Sequence, residues 1–332
     1  TDKIKLDFYE VNENLGIAEQ YGVTKGSGVA FLDYNGKRNR IEKVDEQEIT
    51  SALIKVTRKT NKNIYFVTGH KEVDLEEGKD PSGMNLFKLL LANNSFNIKT
   101  WNLITQPKVP EDADVVALIG PVQSFADYEV KLLEEYLKKG GQLFVALEAP
   151  YPASLKKFFS NLGLDPENNY IKSSFMGMGF VDGGAVGSEF SNDSSITSTF
   201  HGKQEIARFG WPMNIKLIPT LEGITTTTLV NTTKDAVAFP RPEILGTNYP
   251  AGPFNLVVLS KGKYLNATGE KDYTAVVAGD AEFLNNGMLY QNLNRDLGLA
   301  IISGLAREEN LISILPREVE KTVLRNSTVT QS

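Results

Sequence analysis

His70 opens an acidic run, with Glu72, Asp74, Glu76, Glu77 and Asp80 in the next ten residues, directly after the apolar stretch Ile64-Tyr-Phe-Val-Thr68 and Gly69. An imidazole among carboxylates suits general-base chemistry or a cation. The acids lack the Asp-x-Asp-x-Asp-Gly spacing of a calcium loop, so the run equally reads as a solvated polar loop, with His70 hydrogen-bonded to backbone. A second pair, Asp280 and Glu282 in Ala278-Gly-Asp-Ala-Glu-Phe-Leu284, follows another apolar stretch. Paired carboxylates bind metal or exchange protons, but Asp280 also suits a cap on the segment after it. With Gly69 and Gly120 at the ends of two apolar runs, the candidate ligand or partner rim is Gly69, His70, Glu72, Gly120, Asp280 and Glu282.

No catalytic residue is assigned. Thr68-Gly-His and Ile119-Gly-Pro occupy strand ends without the Gly-x-Ser-x-Gly elbow of a hydrolase. The 332 residues include no cysteine, which removes disulfides, thiolate metal ligands and thiol nucleophiles together. Two histidines, His70 and His201, are too few for a His-rich zinc site. Neither a metal nor a cofactor is expected.

The elements that position these residues follow from hydrophobic patterning. Asn63–His70, Ala113–Pro121 and Gln142–Glu148 are continuous apolar runs, two of them ending at glycine. Helical spacing over Met84–Asn93 and Asp127–Lys139 lies between them, and Gly140-Gly141 ends the second helix. Strands without polar alternation, joined by helices, predict an α/β fold with a mostly parallel sheet covered on both faces. Phe254–Ser260 and Tyr273–Asp280 add two strands, Ala153–Leu162 a short helix and Asn292–Gly304 a closing helix. The rim where parallel strands end is where ligands bind in such sheets.

Three regions predict a different texture. In residues 1–60, Ile4–Glu10 alternates like a strand, Asn14–Tyr21 is helical, Asn35-Gly36 marks a hairpin, and Asp45 with Glu48 suits the start of a helix over Asp45–Val56. This order resembles the second half of a thioredoxin-like domain without its redox cysteines. Residues 61–316 hold the α/β domain, and from about 170 to 255 Gly, Ser, Thr and Pro dominate, predicting an insertion of short strands and loops. Residues 317–332 form a polar tail with little to bury, expected to be mobile.

A net charge of −6 without a basic stripe gives no basis for nucleic-acid binding. No run of eighteen apolar residues predicts a membrane span within this sequence.

Several stretches, taken as a set, resemble the auxiliary component of ABC transport systems of the gliding-motility type. They are Ile49-Thr-Ser-Ala-Leu-Ile54, Tyr65-Phe-Val-Thr-Gly-His-Lys-Glu72, Pro110–Pro121, Leu132–Leu143, Val277–Leu284 and Asn294-Arg-Asp-Leu297. The resemblance covers about residues 45–150 and 255–317. It implies a domain on the extracytoplasmic, periplasmic face of a bacterial inner membrane, held by membrane helices flanking this sequence. It also implies the transporter's membrane and ATPase subunits as partners. The family's α/β domain is similar to class I glutamine amidotransferases, whose chemistry needs a cysteine nucleophile that this chain lacks. Gly69, His70, Asp280 and Asp296 match signature positions, and no catalytic role comes with them. Family members often carry glycine after the histidine; Lys71 stands there, which weakens the case for a tight anion-binding turn.

The leading expectation is a non-catalytic transport module that contacts a partner or ligand through its rim and insertion. A hydrolase built from His70, Glu72 and Asp280 is the first alternative. A sugar- or polymer-binding protein using Trp101, Trp211 and Tyr249 is the second.

Overall fold

In a computed structural model of the chain, the described residues are 4–11, 13–21, 28–41, 44, 46–57, 61–173, 184–218, 222–240 and 249–307. They fall into two compact units, the first containing Thr1–Thr57 and the second Arg58–Ser313.

The first unit holds α1 (Leu15–Gln20), β1 (Ala30–Tyr34), β2 (Lys37–Ile41) and α2 (Glu46–Thr57). Asn35 and Gly36 turn the hairpin with φ of 49° and 78°, the left-handed pair that matches strand twist. Asp33 fixes one end, accepting from Arg38 Nε at 2.6 Å, while the guanidinium lies over the Tyr21 ring. Ala52 and Val56 of α2 and Ile41 of β2 are buried. The strand expected over Ile4–Glu10 is absent: those residues lie outside any helix or strand, and no described strand pairs with them. Alternation alone does not make a strand when its backbone groups have no partner. Asp45 lies outside the described residues, as does the expected polar tail at 317–332.

The second unit begins with β3 (Lys62–Thr68), α3 (Asn85–Asn93), β4 (Phe96–Asn102), β5 (Val115–Ile119), α4 (Asp127–Lys138) and β6 (Gln142–Ala146). A single 3-10 turn at Ala153–Leu155 leads into α5 (Lys156–Ser160). Short strands follow: β7 (Leu164–Pro166), β8 (Tyr170–Lys172), β9 (Ala185–Gly187), β10 (Glu189–Phe190), β11 (Ala207–Phe209) and β12 (Ile215–Leu217). The unit closes with β13 (Ile224–Asn231), β14 (Val237–Phe239), β15 (Asn255–Gly262), β16 (Tyr273–Ala278) and α6 (Asn294–Leu305).

Eight strands form the central sheet in the order β10-β13-β15-β16-β6-β5-β3-β4. From β16 to β4 every pairing is parallel; from β10 to β16 every pairing is antiparallel. All five residues of β5 and all five of β6 are buried, as a sheet covered on both faces requires. Leu132, Leu133 and Leu137 of α4 and Phe158 and Phe159 of α5 pack on one face. Opposite, Phe87 of α3 meets Phe66 edge-on, and Gly298 lets α6 approach that ring: a Cβ there would lie 3.1 Å from Phe87. The expected α/β fold with a mostly parallel sheet is what forms, and its three antiparallel pairings make the sheet mixed. Gly140, at φ 81°, ends α4, its N–H donating to Leu137 O while the Gly141 N–H reaches back to Tyr136 O.

Two features depart from expectation. The edge strand β4 went unpredicted, although Phe96, Ile98 and Thr100 alternate with Asn97 and Lys99 as an edge strand does. The region 170–255 is also more than an appendage, because β10 and β13 extend the central sheet through β15.

Candidate rim site at the ends of the parallel strands

Because β3, β4, β5, β6 and β16 are parallel, their C-terminal ends share one rim, and the candidate residues fall there. Gly69 and His70 follow β3, Gly120 follows β5, Glu148 follows β6 and Asp280 follows β16. Gly120 N–H donates to Ala146 O, Val73 N–H to Ile119 O, and Val122 and Gln123 N–H both to His70 O. Two glycines are required by backbone geometry: Gly69 has φ 119° and Gly120 φ 61°, and a Cβ on Gly120 would lie 2.9 Å from Val73.

His70 is buried, and its ring stacks on Phe125 at 3.8 Å and 12°. Nε2 lies 3.0 Å from Glu129 Oε2, and Nδ1 lies 3.6 Å from Glu72 Oε1, just beyond hydrogen-bond reach. The other Glu72 oxygen accepts the His70 N–H at 2.7 Å. Glu129 is the third residue of α4 and also accepts the Ala126 N–H at 2.6 Å, capping the helix, with the Tyr128 hydroxyl on its second oxygen. Burial raises the Glu129 pKa, but the Ala126 N–H, His70 and Tyr128 outweigh it and hold the carboxyl below its ordinary value. His70 therefore joins the end of β3 to the start of α4 through side chains, not backbone as the polar-loop reading had it. Three of the remaining loop acids serve their own turns, Asp74 accepting from Glu76 N–H, Glu77 from Lys79 and Asp80 N–H, and Asp80 from Ser82, while Glu76 pairs with Lys88 of α3.

Lys71, where the resemblance expects glycine, has φ 58°. A left-handed L-residue costs roughly 1–2 kcal/mol, against which glycine loses about 0.5–1 kcal/mol more chain entropy on folding. Lys71→Gly is thus expected to stabilise the second unit by up to about 1 kcal/mol in urea denaturation, and a clear loss would show that the Lys71 side chain holds the loop.

Farther along the rim, three carboxyls converge. Asp280 is fully buried; its Oδ2 accepts from Gly210 N–H at 3.1 Å and Phe283 N–H at 2.9 Å, while Oδ1 has no partner among the described residues. The bond to Phe283 ties Asp280 to the start of the 3-10 turn Glu282–Leu284, although Asp280 stands one residue before the N-cap position, Ala281. Glu148 Oε1 accepts from Ala281 N–H at 2.8 Å and Glu282 N–H at 3.2 Å. Burial is the main cause of the high pKa of Asp280, reinforced by the charges of Glu148 and Glu282. Burial likewise pushes Glu148 up to about 7 and raises Glu282. The cover comes from the 170–255 region: Met213 N–H donates to Gly279 O, and Gly210 is so close that a Cβ there would overlap the Glu282 carboxylate.

The rim thus divides in two. Among the described residues no hydrogen bond or ion pair joins the His70 group to the Asp280 group, so the constellation His70, Glu72 and Asp280 is not assembled as one network. No described cluster of three or more His, Asp or Glu suits a metal ion. Near His70, Ile104 (against Gly69), Val122 and Tyr128 are exposed, interspersed with exposed Lys71, Gln123, Ser124 and Asp127. Glu129, Phe125 and Glu148 went unassigned from sequence. Glu129 carried a signal, as an acid in the first turn of a predicted helix.

The three aromatics of the sugar-binding alternative do not line one groove. Trp101 is a core residue whose indole N–H donates to Gln106 O. Trp211 packs edge-on to Tyr170 beneath the Lys172 ammonium, and Tyr249 packs on Phe239. A separate cleft of about 420 Å³ is lined by Tyr151, Lys156, Asp165, Glu167 and Asn168, with none of the rim candidates in it. No described helix is long and apolar enough to cross a membrane.

Residues 61–177 match the model of an auxiliary-component family described as an ABC-type uncharacterized transport system. No curated protein matches the chain. Among solved structures, the mmIFT52 N-terminal domain superposes with a TM-score of 0.51 at 17% identity, over 73% of this chain and 96% of that one; the likeness is one of fold. A ThuA-like protein from Bacteroides uniformis gives a TM-score of 0.42 at 11% identity, over 75% of this chain and 93% of that one. A ThuA-like protein from Parabacteroides merdae gives 0.41 at 12%, over 74% and 90%.

Proposed function

We propose that this chain is a non-catalytic auxiliary module of an ABC-type transport complex, of the gliding-motility type, working at the extracytoplasmic face of a bacterial inner membrane. Its open half-rim docks a membrane subunit of that complex. The family match over residues 61–177 supports the auxiliary role. One observation carries the docking reading: His70, Glu129, Glu148 and Asp280 each make at least one internal hydrogen bond, while Ile104, Val122 and Tyr128 stand exposed near the His70 group. A rigid sheet edge presenting apolar side chains above a polar network that fixes its loops suits protein contact.

A photo-crosslinking residue at Val122, in cells that make the whole complex, is expected to capture the transporter's membrane subunit. The same residue at Lys203, an exposed position on the insertion, serves as the control. Equal capture from both sites, or none from Val122, would remove the docking reading. Since the chain has no cysteine, Lys203→Cys also tests the compartment. Labelling by a membrane-impermeant maleimide before cell lysis supports the extracytoplasmic face, and labelling only after lysis overturns it.

A further inference from the structure

Residues 4–8 of the first unit read Ile-Lys-Leu-Asp-Phe and lie outside any strand or helix. Ile4, Leu6 and Phe8 are 67%, 72% and 86% exposed. Lys5 and Asp7 pair with each other at 3.0 Å, so these alternate side chains share one side of the chain, as in an extended segment. Three apolar side chains in water, on a stretch whose backbone pairs with no strand among the described residues, form an edge open to pairing.

We propose that this segment pairs antiparallel with the same segment of a second copy of the chain, centred on Leu6. The sequence is self-complementary about that residue. In this register Lys5 faces the partner's Asp7 on both sides of the centre, Ile4 faces the partner's Phe8, and Leu6 faces the partner's Leu6. Shifting the register by two residues in either direction unmatches the central charges, setting Lys5 opposite the partner's Lys5 or Asp7 opposite the partner's Asp7, and like charges directly opposite destabilise a strand pair. The two intrachain ion pairs, one in each copy, are exchanged for two between copies, and the three apolar side chains of each copy gather on one face. Five residues per copy make a small interface, so the pairing is weak and concentration-dependent.

The absence of native cysteine makes the register testable in the full 332-residue chain. Facing Cβ atoms in an antiparallel pair come within about 4.5–5.5 Å, close to disulfide reach. Leu6→Cys is therefore expected to form a covalent dimer under mild oxidation at least ten-fold faster than Lys5→Cys, whose thiols would be offset. In the Leu6→Cys background, Lys5→Glu alone and Asp7→Lys alone should each suppress cross-linking. An equimolar mixture of the two should restore it, because the carboxylate introduced in one copy then faces the ammonium introduced in the other. Circular dichroism of each variant confirms that this exposed segment was altered without unfolding the chain. Equal cross-linking at positions 5 and 6, or indifference to the charge changes, overturns the proposal and gives the apolar edge to another partner.

Discussion

His70→Ala is expected to destabilise the second unit by about 3–5 kcal/mol, the cost of the cavity left by a buried ring and of a buried acceptor losing a hydrogen bond. The ring occupies the space between the Glu72 and Glu129 carboxylates, whose side chains are only 5% and 4% exposed. Removing it takes the ring partner from Glu129, which keeps the Ala126 N–H and the Tyr128 hydroxyl, and opens a cavity against Phe125, two costs that act together. The measurement is convenient because both tryptophans, Trp101 and Trp211, lie in the second unit. Their fluorescence during urea unfolding reports that unit alone. Adding Glu129→Gln to His70→Ala should cost less than the two single losses summed, since the Glu129 contact to the ring is already gone, whereas independent sites would simply add. A loss below about 1 kcal/mol would mean that the loop relaxes to hydrate its carboxylates, and the knot between β3 and α4 would then contribute little.

The parallel half of the sheet was legible because its strands are buried on both faces, so Val115–Ile119 and Gln142–Ala146 read as unbroken runs ending at Gly120 and just before Glu148. Gly140, Gly69 and Gly120 mark helix and strand ends for the same reason, each holding a positive φ. What local pattern could not supply was pairing. Ile4–Glu10 alternates with no described strand beside it, and β13 is threonine-rich and loop-like in composition yet pairs along its length with β15. The site was half legible in the same way. His70, Glu72 and Asp280 stand at strand ends that the sequence marks, so their place on one rim followed. Their partners did not: Glu129 lies 59 positions from His70, and the Gly210 N–H reaches Asp280 across 70. Long-range contacts of that kind also decided the chemistry, since they separate His70 from Asp280 into different networks.

Those long-range contacts give the second unit a stability that falls with pH. Glu148 titrates near 7 in the folded chain and near its ordinary value of 4.5 when unfolded, so the fold favours its protonated form. Its contribution is fully present below about pH 4.5 and is lost as pH rises through about 7. The difference corresponds to about 3 kcal/mol at 1.36 kcal/mol for each pH unit. Asp280, buried between Glu148 and Glu282, acts in the same direction. Glu129, held low, acts in the opposite one: its contribution is present at neutral pH and is lost only in acid, below the ordinary carboxylate range. Urea unfolding followed by tryptophan fluorescence should therefore show lower stability at pH 8.5 than at pH 5.5. Glu148→Gln should flatten that slope and exceed the wild type at pH 8.5, because the amide oxygen still accepts from Ala281 and Glu282 N–H without carrying charge. Asp280→Asn should do likewise, its oxygen keeping the Gly210 and Phe283 bonds while its amide nitrogen takes the place of the unpartnered Oδ1 beside two acids. A wild-type stability that holds level from pH 5.5 to 8.5, with both variants weaker throughout, would mean that the carboxyls are stabilised as anions, and the rim beneath Gly210 would have to admit water or a cation to make that so.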